Sequence, residues 1–235
     1  MGIVFYNDLL LIINGTAWAK KGNIMYEYVT DAEVAEYRSY CAGILTELRD
    51  NLFECDINIQ FVLVGSGARN LVMRNGNGPY DLDYNLNIID MSDYYWKNLK
   101  ALKDVVRQEL NKIVGGTWFS DCKDSTSVLT ANIIDDNNVE FSFDVAIISI
   151  NKKGNYQRLI HNKKCYPDRF DWNEVPNSKN VGARAKYIKS RKKWADVRDT
   201  YKELKNMYLR RGDYFHPSYI CYVEAVNTVY NKLKQ

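Results

Sequence analysis

Residues 81–88, DLDYNLNI, alternate without a break. Leu82, Tyr84, Leu86 and Ile88 fall on one side, and Asp81, Asp83, Asn85 and Asn87 on the other. A period of two predicts a β-strand with one face in a core and one face polar. Aspartate is disfavoured in strands, so two of them at i and i+2 need a reason. They point the same way, about 6.6 Å apart along a backbone rising about 3.3 Å per residue. If their side chains lean together to 4 Å, they repel by about 4 kcal/mol at an effective dielectric of about 20. A fold gathers such groups where a cation compensates them, and divalent metals held by carboxylates do so.

A third acid sits in a second strand-like run. In VEFSFDVAII, Phe141, Phe143, Val145 and Ile147 share one face, and Glu140, Ser142 and Asp144 share the opposite one. This run and SVLTANII flank Asp135-Asp136-Asn137-Asn138, which predicts a hairpin. Asp81, Asp83 and Asp144 together suit a cage for two metal ions. The run INIQFVLVG predicts a strand ending at Gly65, about 16 residues before Asp81. Gly65 lets backbone approach a phosphate, and Ser66 offers a hydroxyl and an amide to it.

Thr30 and Glu33 fit a capping box that opens a helix with Val34, Tyr37, Cys41, Ile44 and Leu48 on one side. Ser92 is placed to cap another, running to about Val114. Residues 151–180 show no regular period, and three helices are predicted at about 178–193, 194–211 and 217–234. The pattern predicts a mixed α/β core over 1–150 and a basic helical lobe over 151–235. The latter carries 20 Lys and Arg against 8 Asp and Glu, whereas the rest of the chain has 12 against 21. Five scattered cysteines without a CxxC spacing, and two histidines, point to reduced thiols and away from a zinc site. Without a basic leader or a long apolar run, the chain is expected to be cytoplasmic, with no membrane partner.

Gly65-Ser66, Asp81-Leu82-Asp83 and the apolar-flanked Asp144, in that order, resemble the DNA polymerase β-type nucleotidyltransferase superfamily over Phe61 to Ile148. The resemblance implies an α+β fold, a nucleotidyltransferase-like mixed β-sheet core flanked by helices, with a C-terminal helical lobe. It implies that Asp81, Asp83 and Asp144 bind Mg²⁺ or Mn²⁺, and that Asp144 helps deprotonate the acceptor hydroxyl. A nucleoside triphosphate, ATP by default, would pass its nucleoside monophosphate to that hydroxyl and release pyrophosphate. Gly65, Ser66 and Arg69 are the candidate phosphate contacts, with Lys186 and Lys189 reaching from the second lobe. The family usually continues as a short helix after Gly-Ser; here GARNLVMRNGNGPY runs into a glycine-bearing loop.

The acceptor is left open between RNA, another nucleotide, a small molecule and a protein hydroxyl. The basic second part, with Trp172 and Trp194, suits nucleic acid by charge and stacking. A cationic aminoglycoside would favour an acidic lobe, and cyclic-nucleotide synthases of this superfamily carry a larger helical lobe. The alternative on the same fold is a non-catalytic nucleotide-binding or toxin–antitoxin-type module. A dinucleotide-binding reading of GSGARN fails because Asn70 replaces the third glycine and no long helix can follow.

Overall fold

The alternating segment becomes a strand because its leucines and tyrosine have a helical layer to pack against. In a computed structural model, residues 25–135, 138–175 and 179–235 are described. They form two units. Strand β1 (Tyr26–Tyr28) belongs to the second. The first contains α1 (Asp31–Phe53), β2 (Ile57–Leu63), β3 (Met73–Asn75), β4 (Tyr80–Met91), α2 (Asp93–Lys97) and α3 (Leu99–Val114). It continues through β5 (Lys123–Asp124), β6 (Leu129–Asp135), β7 (Asn138–Ile150), β8 (Tyr156–Asn162) and β9 (Arg169–Glu174).

Seven of these strands form one mixed sheet. Its path is β2-β4-β7-β6-β5, and β8 joins β7 beyond the stretch that β6 occupies, with β9 outside it. β4 lies antiparallel to β2 and parallel to β7. On one face, Leu82, Tyr84, Leu86, Phe141, Phe143 and Val145 are buried against Leu45, Leu48 and Leu52 of α1 and Leu102, Val106 and Leu110 of α3. Each fully buried large side chain contributes about 1.5–3 kcal/mol by leaving water. The helical layer therefore fixes which face of β4 turns inward, and Asp81 and Asp83 must take the other.

Local signals explain the helix ends. Thr30 accepts from the Glu33 amide at 3.2 Å, as its spacing predicts. Glu33 does not reach back; it pairs with Arg74. The helix expected from Ser92 to Val114 is two helices, because Asn98 leaves helical geometry (φ −133°, ψ 80°) and caps the second through Ala101 N at 3.0 Å. The hairpin is present as antiparallel β6 and β7, while Asp136 and Asn137 at its tip lie outside the described residues. So does the N-terminal segment on which the leader argument rests.

The division at residue 150 shifts. β8 and β9 pair as a hairpin and extend the sheet of the first unit, so that unit includes residues to Glu174. Short strands interrupted by charged residues, RFDWNE for one, give no clean period to read. A buried ionic cluster anchors this hairpin. Lys103 of α3, only 4% exposed, meets Asp124 Oδ1 at 2.6 Å and donates to Ser125 O at 2.7 Å. His161 of β8 places Nδ1 2.8 Å from Asp124 Oδ2 and Nε2 2.7 Å from Asp168 Oδ2, with its ring stacked on Phe170.

The second unit pairs β1 with three helices in sequence, α4 (Lys179–Ser190), α5 (Trp194–Arg210) and α6 (Ser218–Lys232). Asn206, buried on α5, accepts from Tyr26 N and donates to Tyr26 O, which satisfies β1. Among the described residues, no helix is long and apolar enough to cross a membrane, and the five cysteines are free thiols.

Removing one partner of a buried ion pair strands the other. Asp124→Ala should lower unfolding stability by about 3–5 kcal/mol, read by urea denaturation, whereas Asp168→Ala, at a more exposed carboxylate, should cost clearly less. Equal losses would place the anchor elsewhere.

Candidate active site

The three acids converge because of register. Parallel pairing of β4 with β7 sets Asp83 directly beside Asp144, and Asp81 beside Ser142. Partners in register on neighbouring strands, about 4.8 Å apart, put their side chains on one face. One carboxylate oxygen from each of Asp81, Asp83 and Asp144 lies within 4.8 Å of the other two. At that separation each pair repels by about 3.5 kcal/mol at an effective dielectric of about 20. Asp81 is exposed, and the other two are half-buried. Thr130, in register with Asp144 on β6, donates its hydroxyl to Asp144 Oδ1.

The electrostatics record that crowding. Burial, then the charges of Asp81 and Asp144, push the Asp83 carboxyl up to about 7, against the opposing pull of Arg158 and Arg69. A carboxyl raised so far by burial and then by two neighbouring like charges belongs to a donor set that a divalent cation relieves, and all-oxygen ligation fits Mg²⁺ or Mn²⁺ better than a softer metal. Asp81, Asp83 and Asp144 therefore fit a divalent metal site.

The Gly65-Ser66 turn is built against this cluster. Val64 N donates to Asp83 O at 2.8 Å, which ties the end of β2 to β4. Gly65 has φ +59°, and a Cβ there would stand 1.9 Å from Asp83 Oδ2. Only glycine lets that carboxylate lie against the turn. The chain then closes a 3₁₀ turn over Gly67–Arg69, with Arg69 N and Leu71 N both donating to Ser66 O. Arg69 donates to Gly65 O at 2.7 Å, so it braces the turn.

Of the residues expected at the site, Asp81, Asp83, Asp144, Gly65, Ser66 and Arg69 all belong to the first unit. Lys186 and Lys189 are exposed on α4 of the second. Lys189 holds its ammonium 4.4 Å from the Trp194 ring centre, a cation–π contact. Trp172 packs against the core of the first unit and Trp96 rather than standing free for stacking. Two site residues escape sequence reasoning. Thr130 has a signal in hindsight, since the hairpin pairing fixes its neighbour. Arg158 has none, because it lies in the segment without period.

No protein-family model and no curated protein sequence matches the chain. Solved structures do. The cyclic AMP-GMP synthase DncV of Vibrio cholerae, described as a prokaryotic cGAS homolog, superposes with a TM-score of 0.56 at 12% identity, over 75% of this chain and 61% of that one. The same synthase in complex with the linear intermediate pppA(3′,5′)pG gives 0.58 at 12% identity, over 75% and 60%. CdnC of E. coli MS115-1, solved with ATP, gives 0.54 at 14% identity, over 87% and 62%. This chain has the nucleotidyltransferase fold of DncV. It spans about three fifths of the length of the proteins it matches. The nucleotidyltransferase fold accounts for the mixed sheet with its helices on one face and the carboxylates on the other.

The raised Asp83 carboxyl has a thermodynamic signature. The folded state keeps a proton there between about pH 4 and about pH 7 that the unfolded chain has released. Its contribution to stability therefore falls as pH rises through that window. The metal-free chain should lose more stability from pH 5 to pH 8 than Asp83→Asn does. Mg²⁺ should recover stability at pH 8 in the natural chain and far less in the variant. Identical pH slopes in thermal melts would show that the carboxylates are not crowded.

Proposed function

We propose that this chain is a metal-dependent nucleotidyltransferase that moves a nucleoside monophosphate from a nucleoside triphosphate to an acceptor hydroxyl. The observation that supports it most is the register of β4 and β7, which places Asp83 beside Asp144 next to a turn that only glycine can make. The turn brings backbone directly against one of the three carboxylates, and backbone amides beside carboxylate ligands suit a phosphoryl-transfer site. DncV and CdnC, which share the fold, were solved with nucleotides, and this reading takes the same chemical class as substrate.

In this reading Asp81, Asp83 and Asp144 hold Mg²⁺ or Mn²⁺. Those ions, when bound, neutralise the phosphate oxygens and stabilise the charge of the transferring group and of the leaving pyrophosphate. The backbone at Gly65 and Ser66 receives the outer phosphates. Asp144 faces the acceptor and takes the proton of its hydroxyl as the new oxygen–phosphorus bond forms and the bond to pyrophosphate breaks. Thr130 orients Asp144 by donating to one of its oxygens, which leaves the other for that proton. Arg69 keeps the turn closed from below. Lys186 and Lys189 serve the triphosphate if the second unit reaches it, and the cytoplasm is the expected compartment. The basic charge of residues 151–235 makes RNA an eligible acceptor beside a free nucleotide.

Incubation with α-labelled nucleoside triphosphates, Mg²⁺ or Mn²⁺ and a cell extract should place label on one fraction and release pyrophosphate. Asp81→Ala and Asp144→Ala should each reduce transfer by about a hundredfold or more while the melting curve stays cooperative. Undiminished transfer by a folded Asp144→Ala chain would remove this function. Gly65→Ala should fold, displace Asp83, and reduce both Mg²⁺-induced stabilisation and transfer. An alanine variant with unchanged metal response would detach the turn from the site.

A further inference from the structure

Away from the three carboxylates, the ionic cluster of the β8–β9 hairpin needs one proton more than a neutral imidazole supplies. His161 is 7% exposed. Each of its ring nitrogens faces an acid, Nδ1 toward Asp124 Oδ2 at 2.8 Å and Nε2 toward Asp168 Oδ2 at 2.7 Å. An ionised carboxylate only accepts, and a neutral imidazole has a single N–H. With both acids ionised, the two contacts are hydrogen bonds together only when the ring is an imidazolium. Phe170 stacks on that ring, and His161 N donates to Thr126 O at 2.7 Å, so ring and strand are held in place while the proton comes and goes.

The two acids are not equivalent. The Asp124 side chain is 15% exposed and also has Lys103 Nζ at 2.6 Å and Lys163 Nζ at 3.9 Å. Burial pushes its carboxyl up, but Lys103, His161 and Lys163 outweigh that and hold it below the usual carboxylate range. The Asp168 side chain is 49% exposed and stands in the turn between β8 and β9, beyond their last pair, Asn162 and Arg169. The remaining charges lie further out. Asp168 acts on Lys100 of α3, Arg107 of the same helix acts on Lys103, and Arg169 and Asp171 of β9 pair with each other at 2.9 Å.

Loss of the extra proton therefore falls on one side. A lone pair turned against a buried acid costs more than one turned against an acid that water can solvate. The neutral ring keeps its N–H on Nδ1, toward Asp124. The Nε2 proton passes to water, and Nε2 and Asp168 then face each other as two acceptors. We propose that His161 is a proton-operated clasp on the turn of residues 163–168: charged, it ties Asp168 to the core through Asp124; neutral, it lets Asp168 and the turn go to solvent. The clasp rests on the side chains of this hairpin and not on the transferase reading.

The test follows the full chain by NMR from about pH 5.5 to about pH 9, across the range in which imidazoles titrate. It reads the ring nitrogens of His161, told from those of His216 by His216→Gln, and the backbone carbon signals of residues 163–168. The ring should carry two N–H groups at the acid end and only the Nδ1 proton at the alkaline end. The turn signals should shift with the same midpoint. Asp168→Asn separates the clasp from a mere ring titration. Its amide can accept from Nε2–H or donate to the bare nitrogen, so the turn signals should stay in place while the ring still loses its proton. Movement driven by another group, Asp83 included, would persist in that variant. Turn signals that do not shift, turn signals that shift equally in Asp168→Asn, or a ring still charged at about pH 9 would each overturn the clasp. So would a neutral ring with its proton on Nε2, since Asp124 would then be the acid let go.

Discussion

The repulsion among three carboxylates is the interaction around which this structure is organised. Nothing in the intrinsic preference of Asp81 or Asp83 favours a strand. They are held there by what lies on the reverse side. Leu82, Tyr84 and Leu86 are buried under α1 and α3, and a one-residue slip of β4 would exchange that burial for two aspartates in the core. The hydrophobic face thus fixes the register, and the register fixes the distance between charges that would otherwise separate. Apolar burial of about 1.5–3 kcal/mol for each large inward side chain of the two strands, about 9–18 kcal/mol together, is of the same order as three repulsions of about 3.5 kcal/mol, about 10 kcal/mol together.

Much of this was legible in the sequence, for a physical reason. Period two is imposed by the pleat, so the faces of residues 81–88 and 139–147 could be assigned before any pairing was known. The need for a glycine at residue 65 was legible as a close approach to backbone, but the group the structure places against it is the Asp83 carboxylate, which the sequence did not reveal. Thr30 announced its helix through the residue types at its cap. The long helix after Ser92 misled, because its apolar period continues across Asn98 while the amide prefers to cap. Side-chain competition for backbone amides acts locally and is invisible to a periodicity argument.

The segment after residue 150 shows the opposite failure. β8 and β9 are edge and near-edge strands whose outer positions need no apolar pattern, and their order depends on partners far away in sequence. His161 answers Asp124 across 37 positions. Lys103, buried mid-helix, answers it as well. Such pairings leave single charged residues among polar neighbours, which read as loop. Arg158 was hidden for the same reason, although its charge acts on the Asp83 carboxyl.

Arg69 and Arg158 also decide what the site still needs. Both lower the proton affinity of Asp83, from the turn on one side and from β8 on the other. Two guanidiniums near three carboxylates could in principle complete a closed ionic network, with no call for a metal. They do not, and the carboxyl raised to about 7 is the measure. Arg69 is held by the Gly65 carbonyl, and the Nε of Arg158 is buried without a hydrogen-bond partner. Full neutralisation by protein would have made the cluster inert. Partial neutralisation keeps the acids close enough to act as one ligand set and short of the positive charge that an added cation brings.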